Sequence, residues 1–202
     1  MSIYYIIPAR KGSKGFPGKN IKLFHHTYGI IPKSLLNNVI VTSDDDEILK
    51  MSHGCKKIKR SEWLSNDTAS TKLVMCDVVD NFGLKDDDII IMLYLTYPQR
   101  KWSDINKAFE LFLSSESDSL LCKKDIKTHP YLCIDSKGQQ IIEHDLYRRQ
   151  DYPACYEISH FISMFKVGEL GNLNNNLYNE KTYFHYIPDV VDIDYEKDLL
   201  LL

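Results

Sequence analysis

Apolar residues fall in short blocks separated by glycine-bearing loops and amphipathic stretches. Ile3-Tyr4-Tyr5-Ile6-Ile7 is β-branched and aromatic, stops at Pro8 and opens into a Gly/Lys loop, the pattern of a buried strand delivering a loop to a sheet edge. VIVT at 39–42 repeats it and ends on Ser43-Asp44-Asp45-Asp46-Glu47, whose acidic residues suit the positive end of a helix dipole; a short helix to about Met51 is predicted. Over 68–82, Leu73, Cys76, Val79 and Phe82 stand near helical spacing, with Thr68 or Ser70 as cap and Gly83 as stop. Asp88 to Leu93 is a continuous apolar run after an acidic turn, the signature of a strand buried on both faces of a parallel sheet. Ser103 to Leu113 then predicts a helix with Ile105, Ala108, Phe109 and Phe112 inward. This threefold alternation predicts an α/β, Rossmann-like layered fold, a mainly parallel twisted sheet flanked by helices with ligand-binding loops at the carboxyl ends of its strands.

Beyond residue 118 the pattern changes. Ser119–Cys122, Tyr131–Ile134, Ile141–Glu143 and Phe161–Phe165 read as short strands, with Ser136-Lys137-Gly138 as a hairpin turn. This predicts a small antiparallel excursion over about 125–165, exposing strand edges and Tyr131, Tyr147, Tyr152 and Tyr156, which a homodimer would cover. With 202 residues and no long linker, the expectation is one domain over 1–202 carrying this extension.

Composition narrows the function classes. The 25 Lys+Arg against 28 Asp+Glu supply no global field for a nucleic-acid backbone, while leaving room for a local anion site. No apolar run approaches the roughly eighteen residues of a membrane span, and the N-terminal stretch runs into a charged loop instead of a cleavage site. That N-terminus is read as cytoplasmic, and five widely spaced cysteines, with no C-x-x-C pair, indicate buried reduced thiols with neither a disulfide framework nor a zinc site. His25-His26 has no third ligand nearby in sequence, so zinc is not expected.

The chemistry concentrates between Arg10 and Asn20. Four cations (Arg10, Lys11, Lys14, Lys19), no acid, and Gly12, Gly15 and Gly18 make a loop whose backbone N–H groups can approach a polyphosphate. It is not a Walker A loop, because Ser13 stands where glycine is required and Asn20 where Ser or Thr is; nor do glycines at 12, 15 and 18 fit G-x-G-x-x-G. A solvated basic turn would carry the same charges. A second cluster, Asp192-Ile193-Asp194, would in a strand turn both carboxylates to one side, where they could share a hard cation with substrate phosphates.

The string IPARKGSKGFPGKN resembles the N-terminal signature of the CMP-N-acylneuraminate (CMP-sialic acid) synthetase, or acylneuraminate cytidylyltransferase, family. VIVTSDDDEI, KRSEWLSNDTAS, LYLTYPQR, the His129-Pro130 element and RRQDYP follow in that family's order, and Asp192 and Asp194 resemble its metal pair. The resemblance implies a nucleotidyltransferase fold and transfer of CMP from CTP to a nonulosonic acid (sialic, legionaminic or related), with Mg²⁺ and release of pyrophosphate. It implies that Arg10, Gly12, Ser13, Lys14, Lys19, Asn20, Arg60 and Thr71 hold the nucleotide, that Tyr94, Arg149 and Gln150 reach the sugar, that Asp192 and Asp194 bind the metal, and that Arg10, Lys19 and Asp194 act in catalysis.

Three departures set this chain apart from the family pattern. Tyr94, Leu95 and Tyr97 stand where the family carries Gln, Pro and Ser, so an amide becomes a phenol. Glu157 replaces an arginine and His160 a glycine; Glu157 would repel a substrate carboxylate if it faced the pocket. The span from Asn20 to Val39 is short for the family's first crossover helix, and Pro32 limits it further, so a truncated crossover is expected. The alternatives to an active nonulosonate enzyme are therefore a non-catalytic CTP-binding or scaffold protein of this fold, or a cytidylyltransferase for another acidic sugar such as Kdo.

Overall fold

A computed structural model describes residues 1–202. Seven strands form one sheet in the order β3-β2-β1-β4-β6-β5-β7. Strand β1 (Ile3–Pro8) pairs in parallel with β2 (Val39–Ser43) on one side and β4 (Ile89–Met92) on the other, and β2 pairs in parallel with β3 (Lys56–Lys59). The chain therefore winds outward from β1 in both directions. The crevice where it reverses, outside the strands' carboxyl ends, is where open α/β sheets bind ligands.

Five helices complete the layers: α1 (Lys19–Gly29), α2 (Asp46–Met51), α3 (Glu62–Ser65), α4 (Thr71–Phe82) and α5 (Trp102–Ser114). One core, with Ile7, Phe24, Val41, Ile91, Ile105 and Phe112, lies under α1, α2 and α5; a second, with Ile6, Ile40, Val74, Met75, Val78, Ile90 and Phe165, lies on the opposite face. Successive residues of β1, β2 and β4 alternate between the two, so each strand is buried on both faces, as its unbroken apolar run requires. The Asp45 side chain caps α2 by accepting from the Glu47 N–H, and Ser70 caps α4 by accepting from the Leu73 N–H.

The structure corrects several sequence expectations. Helix α4 buries Val74, Met75 and Val78 while Leu73 faces solvent; with apolar residues around most of this helix, spacing alone does not select the face. The first crossover, expected to be truncated, carries an eleven-residue helix: α1 starts inside the basic loop and ends before Pro32, which follows the helix without interrupting it. The expected antiparallel pairing is present, but inside the main sheet: β6 (Tyr156–Lys166) lies between β4 and β5 (Ser119–Asp125), antiparallel to both. Only residues 126–155 leave the sheet, as an arm. There, residues 131–134 and 141–143 form no strand; a 3₁₀ turn at Pro130–Leu132 and a single bridge, Ile134 to Gln140, take their place around the expected turn, where Gly138 adopts φ +82°. Strands β3 and β7 (Thr182–Tyr186) were not anticipated: β3 is lysine-rich, and β7 is an edge strand paired in parallel with β5.

Candidate active site

The carboxyl ends of the four parallel strands surround a cleft of about 340 Å³. Pro8, Arg10, Ser13, Lys19 and Asn20 line it from the first loop, Arg60 from the end of β3, Asn66, Asp67, Ala69 and Thr71 from the approach to α4, and Tyr94, Leu95 and Thr96 from the end of β4. Residues spread over nearly ninety positions thus converge on the predicted edge of the sheet.

The basic loop is built against its surroundings. The Lys11 N–H donates to Asp44 Oδ1 at 2.8 Å, and Asn20 Nδ2 donates to the Arg10 carbonyl at 2.8 Å, tying the loop's two ends together. Gly18 ends the loop at φ +70°, a left-handed turn that favours glycine, and α1 begins at the next residue with no acid in its first turn. The positive end of that helix therefore adds to the loop's charge. At Gly15 a Cβ would come within 2.6 Å of the Asp194 carbonyl oxygen and 3.3 Å of the Tyr195 ring, so glycine lets the loop touch the C-terminal segment.

The cations are held in three ways. Arg10 Nη1 donates to Asp67 Oδ1 at 2.5 Å, and Lys14 pairs with the other oxygen of the same carboxylate. Lys19 is nearly buried, and its Nζ donates to the Ile193 carbonyl at 2.8 Å and to Asp194 Oδ1 at 3.1 Å. Arg60 is buried with no carboxylate in contact; it donates to the Thr42 carbonyl at 2.9 Å and to Thr42 Oγ1 at 3.3 Å, and burial lowers its guanidinium pKa. A buried cation without an ion-pair partner, opening on a cleft with Arg10 and Lys19, is suited to a multiply charged anion. Gly12 and Lys14 stand exposed on the loop beside the cleft and do not line it.

The carboxylate pair is anchored differently from the strand the sequence suggested. Residues 187–194 form no strand; instead the Ile193 N–H donates to the Thr96 carbonyl at 2.9 Å and the Ile193 side chain is fully buried, pinning the segment to the loop after β4. Asp194 reaches Lys19, and its N–H and that of Tyr195 donate to Asp198 Oδ2. Asp192 keeps one oxygen, Oδ1, buried without a hydrogen-bond partner. No three His, Cys, Asp or Glu side chains group as a metal cage. Two acidic residues, one with an orphaned buried oxygen, fit a cation that completes its shell with phosphate oxygens and water, as Mg²⁺ does.

Three of the positions that depart from the family pattern, Tyr94, Tyr97 and His160, collect near this pair. The Tyr94 hydroxyl donates to Thr71 Oγ1 at 3.2 Å, and its ring lies 5.4 Å from that of His160. Tyr97 packs edge-on against Phe161 and accepts from Ser159 Oγ at 3.5 Å; burial first, then the negative charge of Asp192, pushes its pKa up. Burial lowers the pKa of His160, with Asp192 pulling the other way. Glu157 does not line the cleft: it pairs with Lys124 at 3.5 Å.

Sequence reasoning missed Asp67, Thr42 and Arg100. Arg100 is almost fully buried, lies beside Tyr97 and Phe161, and donates to the Tyr94 carbonyl, so it braces the turn carrying Tyr94 to Thr96; burial lowers its pKa to about 10. Asp67 sits inside the KRSEWLSNDTAS string, where Glu62 is a second acid, so charge alone does not single it out. Arg149 and Gln150 are not brought to the cleft. They lie in a 3₁₀ turn of the arm, where Arg149 lines a separate hollow with His129, Tyr152 and Cys155. A larger hollow of about 580 Å³ between α5 and the β6/β7 end has an apolar floor of Phe161, Ile162, Ile187 and Val190, with Lys101, Lys107 and His185 among its lining residues, and holds none of the expected site residues.

Comparison with known proteins places the chain among cytidylyltransferases. The chain is 28% identical over 96% of its length to the post-translational flagellin modification protein B of Campylobacter coli, covering 89% of that protein. It is 27% identical to the CMP-N,N'-diacetyllegionaminic acid synthase of Legionella pneumophila, over 96% of this chain and 91% of that one. Against the N-acylneuraminate cytidylyltransferase of Streptococcus agalactiae (29% identity over 75% of this chain) it spans 40% of the relative's length. In structure, a CMP:2-keto-3-deoxy-manno-octonic acid synthetase complexed with CTP superimposes over the whole chain, and over 96% of its own, with a TM-score of 0.69 at 15% identity, a likeness of fold. With the cytidylyltransferase family model matching residues 4–198, nearly the whole chain, this protein belongs to the cytidylyltransferase family, a family of nucleotidyltransferases.

Proposed function

We propose that this protein transfers CMP from CTP to a nonulosonic acid, a sialic, legionaminic or related acidic sugar, with release of pyrophosphate. The observation that carries the reading is the convergence of Arg10, Lys19 and the buried Arg60 on one cleft at the switch point of the sheet, beside a carboxylate pair. The names of the flagellar, legionaminic and acylneuraminate relatives support the choice of acceptor.

In this reading the sugar's anomeric hydroxyl attacks the α-phosphorus and pyrophosphate departs. The protein's work is positioning and charge stabilisation, which dominate phosphoryl-transfer chemistry. Arg10, Ser13, Lys14 and Asn20 orient the triphosphate, with Gly12 giving the loop backbone access to it. Arg60 and Thr71 flank the nucleotide. Lys19 is fixed by the Ile193 carbonyl and Asp194, so its charge is preorganised for the oxyanion that develops on the leaving side. Asp192 and Asp194 would hold Mg²⁺, which supplies charge neutralisation at the reacting phosphate. Tyr94, with His160 against it, shapes the acceptor end.

The arm supports a homodimer. Leu132, Ile134, Ile141, Ile142, Leu146 and Tyr147 are exposed on it, and Tyr147 is 86% exposed. So many apolar side chains in one segment are what an interface covers. Arg149 and Gln150 act on the sugar in this reading only when assembly brings the arm to a cleft. The five unpaired cysteines are in keeping with a cytoplasmic setting, and no helix is long and apolar enough to cross a membrane.

The test is turnover: purified protein with CTP, Mg²⁺ and a panel of nonulosonic acids plus Kdo, following pyrophosphate release and identifying the product by mass. Release with a nonulosonic acid is expected. Release with Kdo alone would move the acceptor to an eight-carbon acid. CTP binding without release for any acid would replace the enzyme reading with a binding or scaffold role.

A further inference from the structure

Asp67 places a carboxylate where a phosphate is expected. Its two oxygens engage Arg10 and Lys14, both from the basic loop, while Asp67 itself belongs to the loop between α3 and α4, 57 positions from Arg10 along the chain. Arg10 and Asp67 both line the cleft, so the contact bridges its two walls. Hydrogen bonds from Lys14 first, and then from Arg10, hold the carboxyl pKa below its ordinary value.

Two features suit this bridge to exchange. First, the loop does not depend on it. Asn66 Oδ1 accepts from the N–H groups of Thr68 and Ala69 and from the Thr68 hydroxyl, so the backbone around residue 67 is set by its neighbour. Second, the partners are wet: the side chains of Arg10, Asp67 and Lys14 are 35%, 45% and 81% exposed. Exposed pairs of this kind contribute little, whereas a polyphosphate offers several charged oxygens and the bidentate geometry a guanidinium favours. Lys19 is the contrast, with its charge locked by a carbonyl and a carboxylate in a nearly dry position.

We propose that Asp67 is a displaceable counter-ion of the phosphate grip. In the free protein it holds Arg10 and Lys14 across the cleft; a polyphosphate takes both cations only by expelling it, and its return assists pyrophosphate departure. Asp67 thereby weakens binding of the substrate's triphosphate and of pyrophosphate alike, setting affinity without touching the reacting atoms. This rests on the assignment of Arg10 and Lys14 to phosphate made above.

The experiment is calorimetric titration of inorganic pyrophosphate into the full-length protein at low ionic strength, for wild type, Asp67→Asn and Asp67→Glu. Asp67→Asn is expected to bind about three- to tenfold more tightly, the range that release of two exposed ion pairs allows. Asp67→Glu, which keeps the charge, is expected to stay near wild type. A merely structural role for Asp67 would weaken binding in Asp67→Asn, and equal or weaker binding overturns the proposal. If wild type itself binds no pyrophosphate, the phosphate assignment of the loop falls, and the counter-ion role falls with it. Melting temperatures without ligand confirm that both variants are folded.

Discussion

The cleft and the arm are made by opposite strategies. Around the cleft, polar side chains are fixed by backbone groups of distant segments: Lys19 by the Ile193 carbonyl, Asn20 by the Arg10 carbonyl, Arg60 by the Thr42 carbonyl, and the Asp192–Asp194 segment by the Thr96 carbonyl. In the arm, residues 126–155 hold together through a small aromatic cluster. Tyr131 stacks on His144 at 4.1 Å, and His129 and Tyr152 close around them, while Ile134, Ile141 and Tyr147 stay exposed. The difference teaches where rigidity is placed: Lys19 and Arg60 are locked to the sheet and its loops, and the exposed apolar surface of the arm is carried on a thin support.

The largest expected effect lies in the cleft. Lys19→Met should lower turnover by roughly 10²–10³-fold, the usual loss for one preorganised charge, with little change in melting temperature. A loss below tenfold would mean that the best-fixed cation of the cleft is not at the chemistry. Next, Gly15→Val should force the loop off the Asp194–Tyr195 backbone, since its Cβ would stand 2.6 Å from the Asp194 oxygen. The half-saturating concentrations of Mg²⁺ and CTP should then rise together, by about tenfold, or about 1.4 kcal/mol. A rise in only one would separate the two ends of the site.

Smaller effects are expected in the arm. Tyr131→Ala removes the centre of the aromatic cluster, whose pairs contribute about 0.5–1.5 kcal/mol each. Proteolysis within 126–155 should accelerate and the proposed dimer should weaken in light scattering, while CTP binding stays unchanged. Impaired CTP binding in that variant would show that the two regions are not independent.

The smallest effect concerns pH. Burial lowers the pKa values of His160 and His185, with Asp192 opposing it at His160 and Lys107 adding to it at His185. A histidine pKa depressed by folding stabilises the protein fully above its unfolded value, near 6.5, and this contribution is lost as pH falls from there towards the folded values. Thermal melts at about pH 7.5 and about pH 5.5 should show a larger drop for wild type than for a His160→Gln, His185→Gln double variant.

What was legible in the sequence follows the same division. The strands β1, β2 and β4 announce themselves because burial on both faces demands unbroken apolar runs, and the basic loop stands out because it gathers four cations and no acid in a chain whose charges otherwise nearly balance. Strand β3, Lys-Lys-Ile-Lys, carries one buried residue and no periodicity to read. The arm's segments have strand-like composition, yet outside the sheet they find almost no partner strand, and aromatic contacts decide their course. The Asp192–Asp194 pair is singled out by its spacing together with the family resemblance, although a tether to Thr96 replaces the strand that spacing assumed. Asp67 escaped because its role depends on a partner 57 residues away, a distance no local pattern reports.

The central claim, that the cleft at the carboxyl ends of β1 to β4 holds a triphosphate, is tested most directly by a crystal structure of the protein with CTP. Phosphate oxygens within hydrogen-bonding distance of Arg10, Lys14 and Lys19, with the Asp67 carboxylate turned away from the loop, are the expected result. A triphosphate bound elsewhere, as in the hollow lined by Lys101, Lys107 and His185, with the Arg10–Asp67 contact intact, would contradict it.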